Sequence, residues 1–185
     1  AQHRQERAVP GEAVLVYGRL DVTQEDLLND ALLNVWKRDP TLTCSTAPLH
    51  TISMGDLRRA IFRGSVGDDY GKELRWWAEQ EIQPLISSET STRNDLLNVG
   101  VELFENRSET DTDILHEYFV PPAAFEEFVV AARDVIERHH GDLLNVTVRD
   151  VMPDEDTFLR YADQQMLCLV MLFNQQRTHA GEVKI

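Results

Sequence analysis

The sequence predicts an α+β fold, a mostly antiparallel sheet of about five strands with helices packed on one of its faces. Two observations lead to this prediction. Segments rich in β-branched and aromatic residues occur along the chain together with segments of helical periodicity. In addition, one long segment alternates apolar and polar residues, which is typical of a strand with one buried and one polar side. We therefore expect the second face of the sheet to meet a partner.

Composition narrows the range of functions. The chain has 185 residues, of which 42% are hydrophobic and 27% charged, as in an ordinary globular protein. Its 18 basic and 32 acidic residues give a net charge of -14, which disfavours nucleic acid or an anionic membrane as the main ligand. The sequence has no apolar run long enough to cross a bilayer and no signal-peptide pattern, so we expect a cytoplasmic protein.

The cysteines and the chain ends complete this outline. Cys44 and Cys168 are far apart and lack neighbouring Cys or His ligands, which predicts free thiols and no metal site. Residues 1–11 are polar and charged up to Pro10-Gly11 and are expected to form a tail or linker. Residues 12–178 are expected to form the domain, and residues 179–185, which carry no closing signal, a truncated tail.

The first elements are predicted to be a strand and a helix. The segment AVLVYGRL at residues 13–20 has strand composition. Thr23 with Asp26 resembles the capping box that opens a helix, and this helix is expected to end near Asp39-Pro40. Its apolar side contains Leu27, Leu28, Ala31, Leu32, Val35 and Trp36.

Two more helices and a strand are predicted before the middle of the chain. A short helix is expected from Ser53 to Phe62, since Gly64 and Gly67 follow it. A longer helix is expected over residues 69–86, with Trp76 pointing away from the core. Its core-facing side is predicted to contain Tyr70, Leu74, Trp77, Ala78 and Ile82. Residues 96–105 have strand composition and are expected to form a hairpin with the next strand.

The segment from residue 113 to residue 174 has the most consistent local signals. Residues 114–120 predict a strand that stops at Pro121-Pro122, where a helix can begin. That helix is expected to end before Gly141, and its apolar residues are Phe125, Phe128, Val129, Ala132, Val135 and Ile136. Residues 143–151 then alternate, with Leu144, Val146 and Val148 on one side and Asn145, Thr147 and Arg149 on the other. A short helix and a last strand are expected to follow.

The tetrapeptide LLNV occurs three times, at residues 32–35, 96–99 and 143–146. The unequal intervals exclude a solenoid repeat. The first copy lies in a predicted helix and the other two lie in predicted strands. We interpret this difference as tertiary context overriding a shared local sequence.

The polar side of the strand at residues 143–151 is the candidate binding surface. Asn145, Thr147 and Arg149 offer an amide, a hydroxyl and a cation at intervals of two, and together they could bind a polyol or a carboxylate lying across the sheet. A solvated sheet face without a ligand is the alternative. Glu117 lies between two apolar residues on its own strand side, so its carboxylate needs a partner or exposure at the rim.

Other polar groups have weaker functional signals. His116 and Tyr118 share one side of a strand, and a His beside a Tyr could act as an acid or a base, although hydrogen-bonded packing is the more common arrangement. His139 and His140 are explained by the end of a helix rather than by a metal. The segment at residues 64–67 lacks the preceding strand and following Lys of a phosphate-binding loop.

Several phrases resemble one enzyme family. ILHEYFVPPAAFEEF, LLNVTVRDVMPDEDTFLRYA and CLVMLFNQ resemble the substrate-binding, or cap, half of FAD-linked oxidoreductases of the vanillyl-alcohol-oxidase type. YGRLDV, FRGSVGDDYGKELRWWAE and ELFENRSETDTDILHEYF also resemble bacterial members, so the likeness covers most of residues 12–178. None of these phrases is a catalytic signature.

The resemblance implies a cap-domain-like fold with ferredoxin-like elements, in which the inner face of the sheet covers the flavin and orients the substrate. The implied substrate-binding residues are Asn145, Thr147, Arg149 and Glu117. FAD is the implied cofactor, and its binding domain would be a separate, N-terminal part of the same protein. The resemblance thus also implies that this chain is a fragment or a truncated homologue.

The expected function is the substrate-binding half of an FAD-dependent oxidoreductase that acts on a CH-OH group of a small sugar- or alcohol-like substrate and is inactive alone. The alternative is a non-catalytic α+β binding or dimerisation module that has lost the flavin domain. We expect the isolated chain to bind no FAD tightly. We also expect the polar face to be exposed or covered by a second copy of the chain.

Overall fold

The computed structural model describes residues 13–38, 41, 55–82 and 104–177. These residues divide between two compact units. Unit 1 contains Ala1–Arg38 and Glu109–Ile185, and unit 2 contains Asp39–Ser108. The described strands all lie in unit 1, so this unit carries the predicted binding residues.

Unit 1 is built on a five-stranded antiparallel sheet, which confirms the predicted α+β fold. The strands are β1 (Ala13–Leu20), β2 (Ala31–Lys37), β3 (Asp111–Val120), β4 (Asp142–Val151) and β5 (Met166–Gln176). Their order in the sheet is β2-β1-β4-β5-β3. The described α-helices are α1 (Gly55–Arg63) and α2 (Asp69–Trp77) in unit 2 and α3 (Phe125–His139) in unit 1.

One face of the sheet packs against α3. Pro121 follows β3, and a 3-10 turn (Pro122–Ala124) leads directly into the helix, because proline cannot continue a ladder but can open a helix. Val129 and Ile136 lie on the buried side of α3, about two helical turns apart. They join a core whose sheet residues are Leu20, Val120, Leu143, Val146, Leu169 and Met171.

The strand register explains which β4 side chains enter this core. Val146 pairs with Met171, and paired residues point to the same side of a sheet. The register shifts between Leu143 and Asn145, where Leu144 is an extra residue. Leu143 pairs with Phe173, which is two positions from Met171, so Leu143 also points to the core side. The predicted strict alternation assigned this core position to Leu144 instead.

The helix predicted after β1 is wrong, since residues 21–30 form a connection and β2 follows. The Asp21 N–H donates to the Asp30 carbonyl, and the Asp21 carbonyl accepts from the Leu28 N–H, which closes the connection. Leu27 and Leu28 enter the core, and Arg133 of α3 donates from Nε to the Leu27 carbonyl at 2.6 Å. The helical spacing seen in the sequence therefore arises from Leu27 and Leu28 of this connection together with the apolar residues of β2. The backbone groups of β2 pair with those of β1.

Asp21 makes the stability of unit 1 depend on pH. Its side chain is 3% exposed and accepts the Thr23 N–H at 2.8 Å. Burial raises the pKa of Asp21, although the hydrogen bonds from Thr23 oppose this change. Folding thus favours the protonated form. The resulting stabilisation is complete below the ordinary pKa of 3.8 and is lost as the pH rises through the folded pKa.

Asp21→Asn is expected to remove this pH dependence, because the amide keeps an oxygen acceptor for Thr23 and does not titrate. The melting temperature of the variant minus that of the wild type should increase from about pH 3 to about pH 6. The exposed Glu25→Gln variant serves as the control, and its difference should stay flat. A difference for Asp21→Asn that falls with pH would identify the ionised carboxylate as the stabilising form.

The end of α3 offers a second test of the local structure. His140 has φ 52° and ψ 44°, and its N–H donates to the Glu137 carbonyl at 3.2 Å. Glycine adopts this left-handed conformation without the steric cost of a side chain, so His140→Gly is expected to stabilise unit 1 by about 0.5–1 kcal/mol in urea unfolding. His139→Gly lies within the helix and is expected to destabilise by a similar amount. Equal effects of the two variants would exclude the backbone explanation.

In unit 2, α2 packs with a different side from the predicted one. Trp76 is buried, whereas three residues predicted to face the core are 47% or more exposed: Tyr70, Leu74 and Trp77. A Cβ at Gly71 would lie 2.5 Å from the Gly64 carbonyl oxygen, so this side of α2 approaches the turn after α1 closely. Arg75 lies on the same side and donates to the Ser65 hydroxyl at 2.8 Å. The small size of Gly71 and the hydrogen bond of Arg75 therefore determine which side of α2 packs against the turn after α1.

Other predictions for this unit fall partly outside the described residues. A π-helical segment, Ala78–Ile82, continues α2, and residues 83–86 of the predicted helix lie outside the described ranges. The same holds for residues 96–103 of the predicted strand, which includes the second LLNV. Within the ranges described, no helix combines the length and the apolar character needed to cross a membrane.

Candidate functional site

The predicted binding residues lie on the side of the sheet opposite α3. Thr147 on β4 and Glu117 on β3 both pair with Val170 of the intervening β5. Arg149 pairs with Cys168, two positions along β5, and so points to the same side. We call this side the distal face and define it by Asn145, Thr147, Arg149 and Glu117.

The charged residues of the distal face are exposed at its surface. Neither Glu117 nor Arg149 forms a hydrogen bond or ion pair with another residue in the described ranges. Val170, which lies between their strands, is 7% exposed. The distal face therefore carries two exposed charges, and the β5 residue between them is almost fully buried. Arg19 of β1 pairs with Thr147 and points to the same side.

Asn145 is the buried polar residue of the distal face. Its side chain is 8% exposed, and its Nδ2 donates to the Thr147 Oγ1 at 3.4 Å, which is long for a hydrogen bond. Its Oδ1 is buried and has no hydrogen-bond partner among the described residues. A buried acceptor left unpaired costs about 1–3 kcal/mol.

Tyr161 also belongs to the distal face, although the sequence did not predict it. Its ring contacts Phe119 edge to face, with the ring centroids 4.8 Å apart. Burial raises the pKa of the Tyr161 hydroxyl and of the Cys168 thiol; the Glu117 carboxylate raises both pKa values further, and Arg149 lowers them. Tyr161 and Cys168 are therefore within electrostatic reach of both charged residues.

The connection that carries Tyr161, residues 152–165, is organised by Asp154 and not by the predicted short helix. The Asp154 N–H donates to the Ala162 carbonyl at 2.9 Å. The Asp154 carboxylate accepts hydrogen bonds from the Thr157 hydroxyl and from the N–H groups of Asp156, Thr157 and Tyr161. These bonds, led by that of the Thr157 hydroxyl, lower the pKa of Asp154 to about 2.

Asp154→Ala is expected to release Tyr161 from Phe119, because the carboxylate holds the backbone of the connection. The amide of Tyr161 should exchange its hydrogen faster, and the ring shifts of Phe119 should move toward random-coil values in NMR spectra. Asp156→Ala is the control, since only its backbone N–H is bonded to Asp154. Unchanged exchange at Tyr161 in Asp154→Ala would mean that ring packing alone holds the connection.

The same carboxylate predicts how the connection responds to acid. The pKa of Asp154 is lowered in the folded state, so its carboxylate stabilises the connection fully above the ordinary pKa of 3.8. This stabilisation is lost as the pH falls through about 2. Protection of the Tyr161 amide should therefore persist at about pH 3 in the wild type.

His116 and Tyr118 lie on the α3 side of the sheet and not on the distal face. The His116 Nδ1 is 3.2 Å from the Tyr118 hydroxyl oxygen. His116 contacts the ring of Phe173, and Tyr118 contacts the ring of Phe128 in α3. This arrangement favours the packing interpretation of the pair over an acid-base role.

Among the residues that the structure describes, no group of three or more His, Cys, Asp or Glu side chains could hold a metal ion. Cys168 is a buried free thiol, and Cys44 lies outside the described residues. His140 ends α3 as expected for its position.

The described residues do not fit the pyrophosphate of FAD. The turn at residues 64–67 follows α1 rather than a strand. The Asp68 carboxylate accepts the Gly71 N–H at 3.2 Å, so an acidic side chain already occupies the N-terminus of α2, where a phosphate would otherwise bind. This turn and the N-terminus of α2 therefore offer no site for the pyrophosphate of a flavin.

Comparisons of the chain with protein-family models, with curated proteins and with solved structures find no match.

Proposed function

We propose that unit 1 is the substrate-binding half of an FAD-dependent oxidoreductase that acts on a CH-OH group of a small polar substrate. The FAD-binding domain of the same protein is its proposed partner. One observation carries the proposal. The four residues implied by the family resemblance lie together on the face of the sheet that α3 does not cover.

The chemistry of the distal face suits this role. Thr147 offers a hydroxyl for hydrogen bonds with substrate hydroxyls, and Asn145 Nδ2 donates to its oxygen. Leu172 on β5 is half-buried and is an apolar residue that a carbon skeleton could contact. Because β4 lies between β1 and β5, Thr147 is paired on both sides, with Arg19 and with Val170, and this pairing fixes its position, as substrate orientation requires.

The proposal is tested by NMR titration of the isotope-labelled chain with a neutral polyol such as ribitol. We expect the amide signals of residues 145–149 and 168–170 to shift, while those on the exposed side of α3 stay unchanged. Thr147→Val should abolish the shifts, and the matched control Thr112→Val, at the far end of β3, should retain them. Shifts that are absent, or that spread over both faces of the sheet, would overturn the proposal.

A binding or dimerisation module without a flavin domain is the second candidate. Leu115, which is 58% exposed on the distal side of β3, favours it because an exposed leucine can contribute to an interface. Sedimentation equilibrium separates the candidates. A dimer that Leu115→Ser dissociates supports the module, and a monomer in both cases supports the substrate-binding role.

A further inference from the structure

Two opposite charges flank β5 on the distal face. Glu117 lies on β3 beside Val170, and Arg149 lies on β4 beside Cys168. Strand spacings of about 4.8 Å and a rise of about 3.3 Å per residue place their Cα atoms roughly 12 Å apart. Both side chains are exposed, and neither is paired within the described part of the chain. The carboxylate and the guanidinium can therefore reach a small molecule from opposite ends.

The surface between these charges includes an aromatic side chain. Cys168 is fully buried and Val170 is 7% exposed, whereas Tyr161 is 52% exposed, so a ligand between the charges would contact Tyr161 rather than β5. Tyr161 stands at one side, against the edge of Phe119. Glu117 and Arg149 act in opposite directions on the pKa of the Tyr161 hydroxyl, so this phenol lies near both charges. A ligand with a charge at each end and a short carbon chain between them would match this arrangement.

Thr147 adds a hydrogen-bonding group near these charges. It pairs with Val170 from the β4 side, opposite Glu117. Asn145 Nδ2 donates to the Thr147 Oγ1, so the proton of the Thr147 hydroxyl stays available for another acceptor. Asn145 Oδ1 also lacks a donor among the described residues. A ligand hydroxyl could accept the proton of the Thr147 hydroxyl, whereas the buried Asn145 Oδ1 lies out of its reach.

We propose that the distal face binds a small amino-hydroxy acid, with the ammonium at Glu117, the carboxylate at Arg149 and the hydroxyl at Thr147. This inference names a substrate class for the CH-OH chemistry and so rests on the proposed function. A guanidinium binds a carboxylate through two parallel hydrogen bonds, and a carboxylate accepts directly from an ammonium. A neutral polyol would leave both charges unpaired, and a simple hydroxy acid would leave Glu117 facing a second anion.

Four compounds test the three contacts separately. The complete probe is 4-amino-3-hydroxybutanoate. The three comparison compounds each lack one group: 3-hydroxybutanoate lacks the ammonium, 4-aminobutanoate lacks the hydroxyl, and 1-aminopropan-2-ol lacks the carboxylate. Dissociation constants are measured from the amide shifts of residues 145–149 and 168–170. Each deletion is expected to weaken binding about 3- to 10-fold, since the charged contacts are exposed to water.

Three variants assign each contact to its residue. The Glu117→Gln variant should bind the complete probe no more tightly than it binds 3-hydroxybutanoate. The Arg149→Gln variant should bind the complete probe no more tightly than it binds 1-aminopropan-2-ol. In Thr147→Val, the complete probe should bind no better than 4-aminobutanoate. This pattern is a thermodynamic cycle between ligand and protein groups. The controls are Glu126→Gln and Arg138→Gln on the exposed side of α3, which should leave all four affinities unchanged.

The outcomes separate this inference from the proposed function. If the neutral polyol shifts the distal-face amides but the charged groups add no affinity, the amino-hydroxy acid is wrong and the substrate-binding role stands. If neither the polyol nor any charged probe shifts these amides, both proposals fall. If the α3 controls lose affinity as well, the loss in the distal-face variants reflects long-range electrostatics, and the proposed binding site is wrong.

Discussion

Replacing Leu169 with Ala is expected to destabilise unit 1 by about 2–5 kcal/mol. Leu169 is 0% exposed and points from β5 toward α3, where it belongs to the same core as Val146 and Met171. Removing its branched end leaves a cavity between a sheet and a helix, and strands hydrogen-bonded on both sides cannot collapse to fill it. Urea unfolding followed by circular dichroism measures the loss.

A matched leucine on the other side of the sheet provides the control. Leu115 on β3 is 58% exposed on the distal side, so Leu115→Ala is expected to cost less than about 1 kcal/mol. Leu169→Val, with an expected cost of about 1 kcal/mol, keeps the comparison measurable if the alanine variant does not fold. Similar losses at both leucines would contradict the assignment of the core to the α3 side.

The elements predicted correctly are those whose signals are local. The double proline fixes the junction between β3 and α3, and alternation identifies β4, because both patterns depend on neighbours in sequence. No comparable local signal identifies β2 as a strand. Its apolar residues also fit a helical spacing once Leu27 and Leu28 are included, and only the pairing with β1 decides between the two.

The repeated tetrapeptide LLNV indicated the correct structure for β2, which is a strand. LLNV at residues 32–35 and at residues 143–146 lies in a strand both times, so the interpretation as one sequence in two structures is wrong. A shared tetrapeptide with a β-branched end has the same local preference in both places. Here that preference agreed with the tertiary structure, and the helical spacing of the leucines did not.

The composition of the candidate site could be predicted only in part. The side of β4 that carries Thr147 and Arg149 follows from the period of two along a strand. The approach of Glu117 from β3 requires β5 as the intervening strand, which is a long-range pairing. Tyr161 reaches the distal face through the bonds around Asp154, which no periodic pattern encodes.

If unit 1 works together with a flavin domain as proposed, Arg149→Ala in that protein is expected to lower kcat/KM by about 2–4 kcal/mol in transition-state terms, the scale of one well-placed electrostatic contact. This effect exceeds the 3- to 10-fold loss expected for the chain alone, because a covering domain would exclude water and strengthen the contact. Arg149→Lys should recover only part of the loss, since an ammonium cannot form two parallel hydrogen bonds with a carboxylate.

The melting temperature separates a binding role of Arg149 from a structural one. Arg149 is exposed and unpaired among the described residues, so its removal should leave the melting temperature nearly unchanged. If Arg149 only binds the substrate, KM rises and kcat is retained; if it also positions the reacting carbon, kcat falls as well. Unchanged steady-state kinetics would make Arg149 an ordinary surface residue. Unfolding of Arg149→Ala would make it a structural one, and either result would remove it from the substrate site.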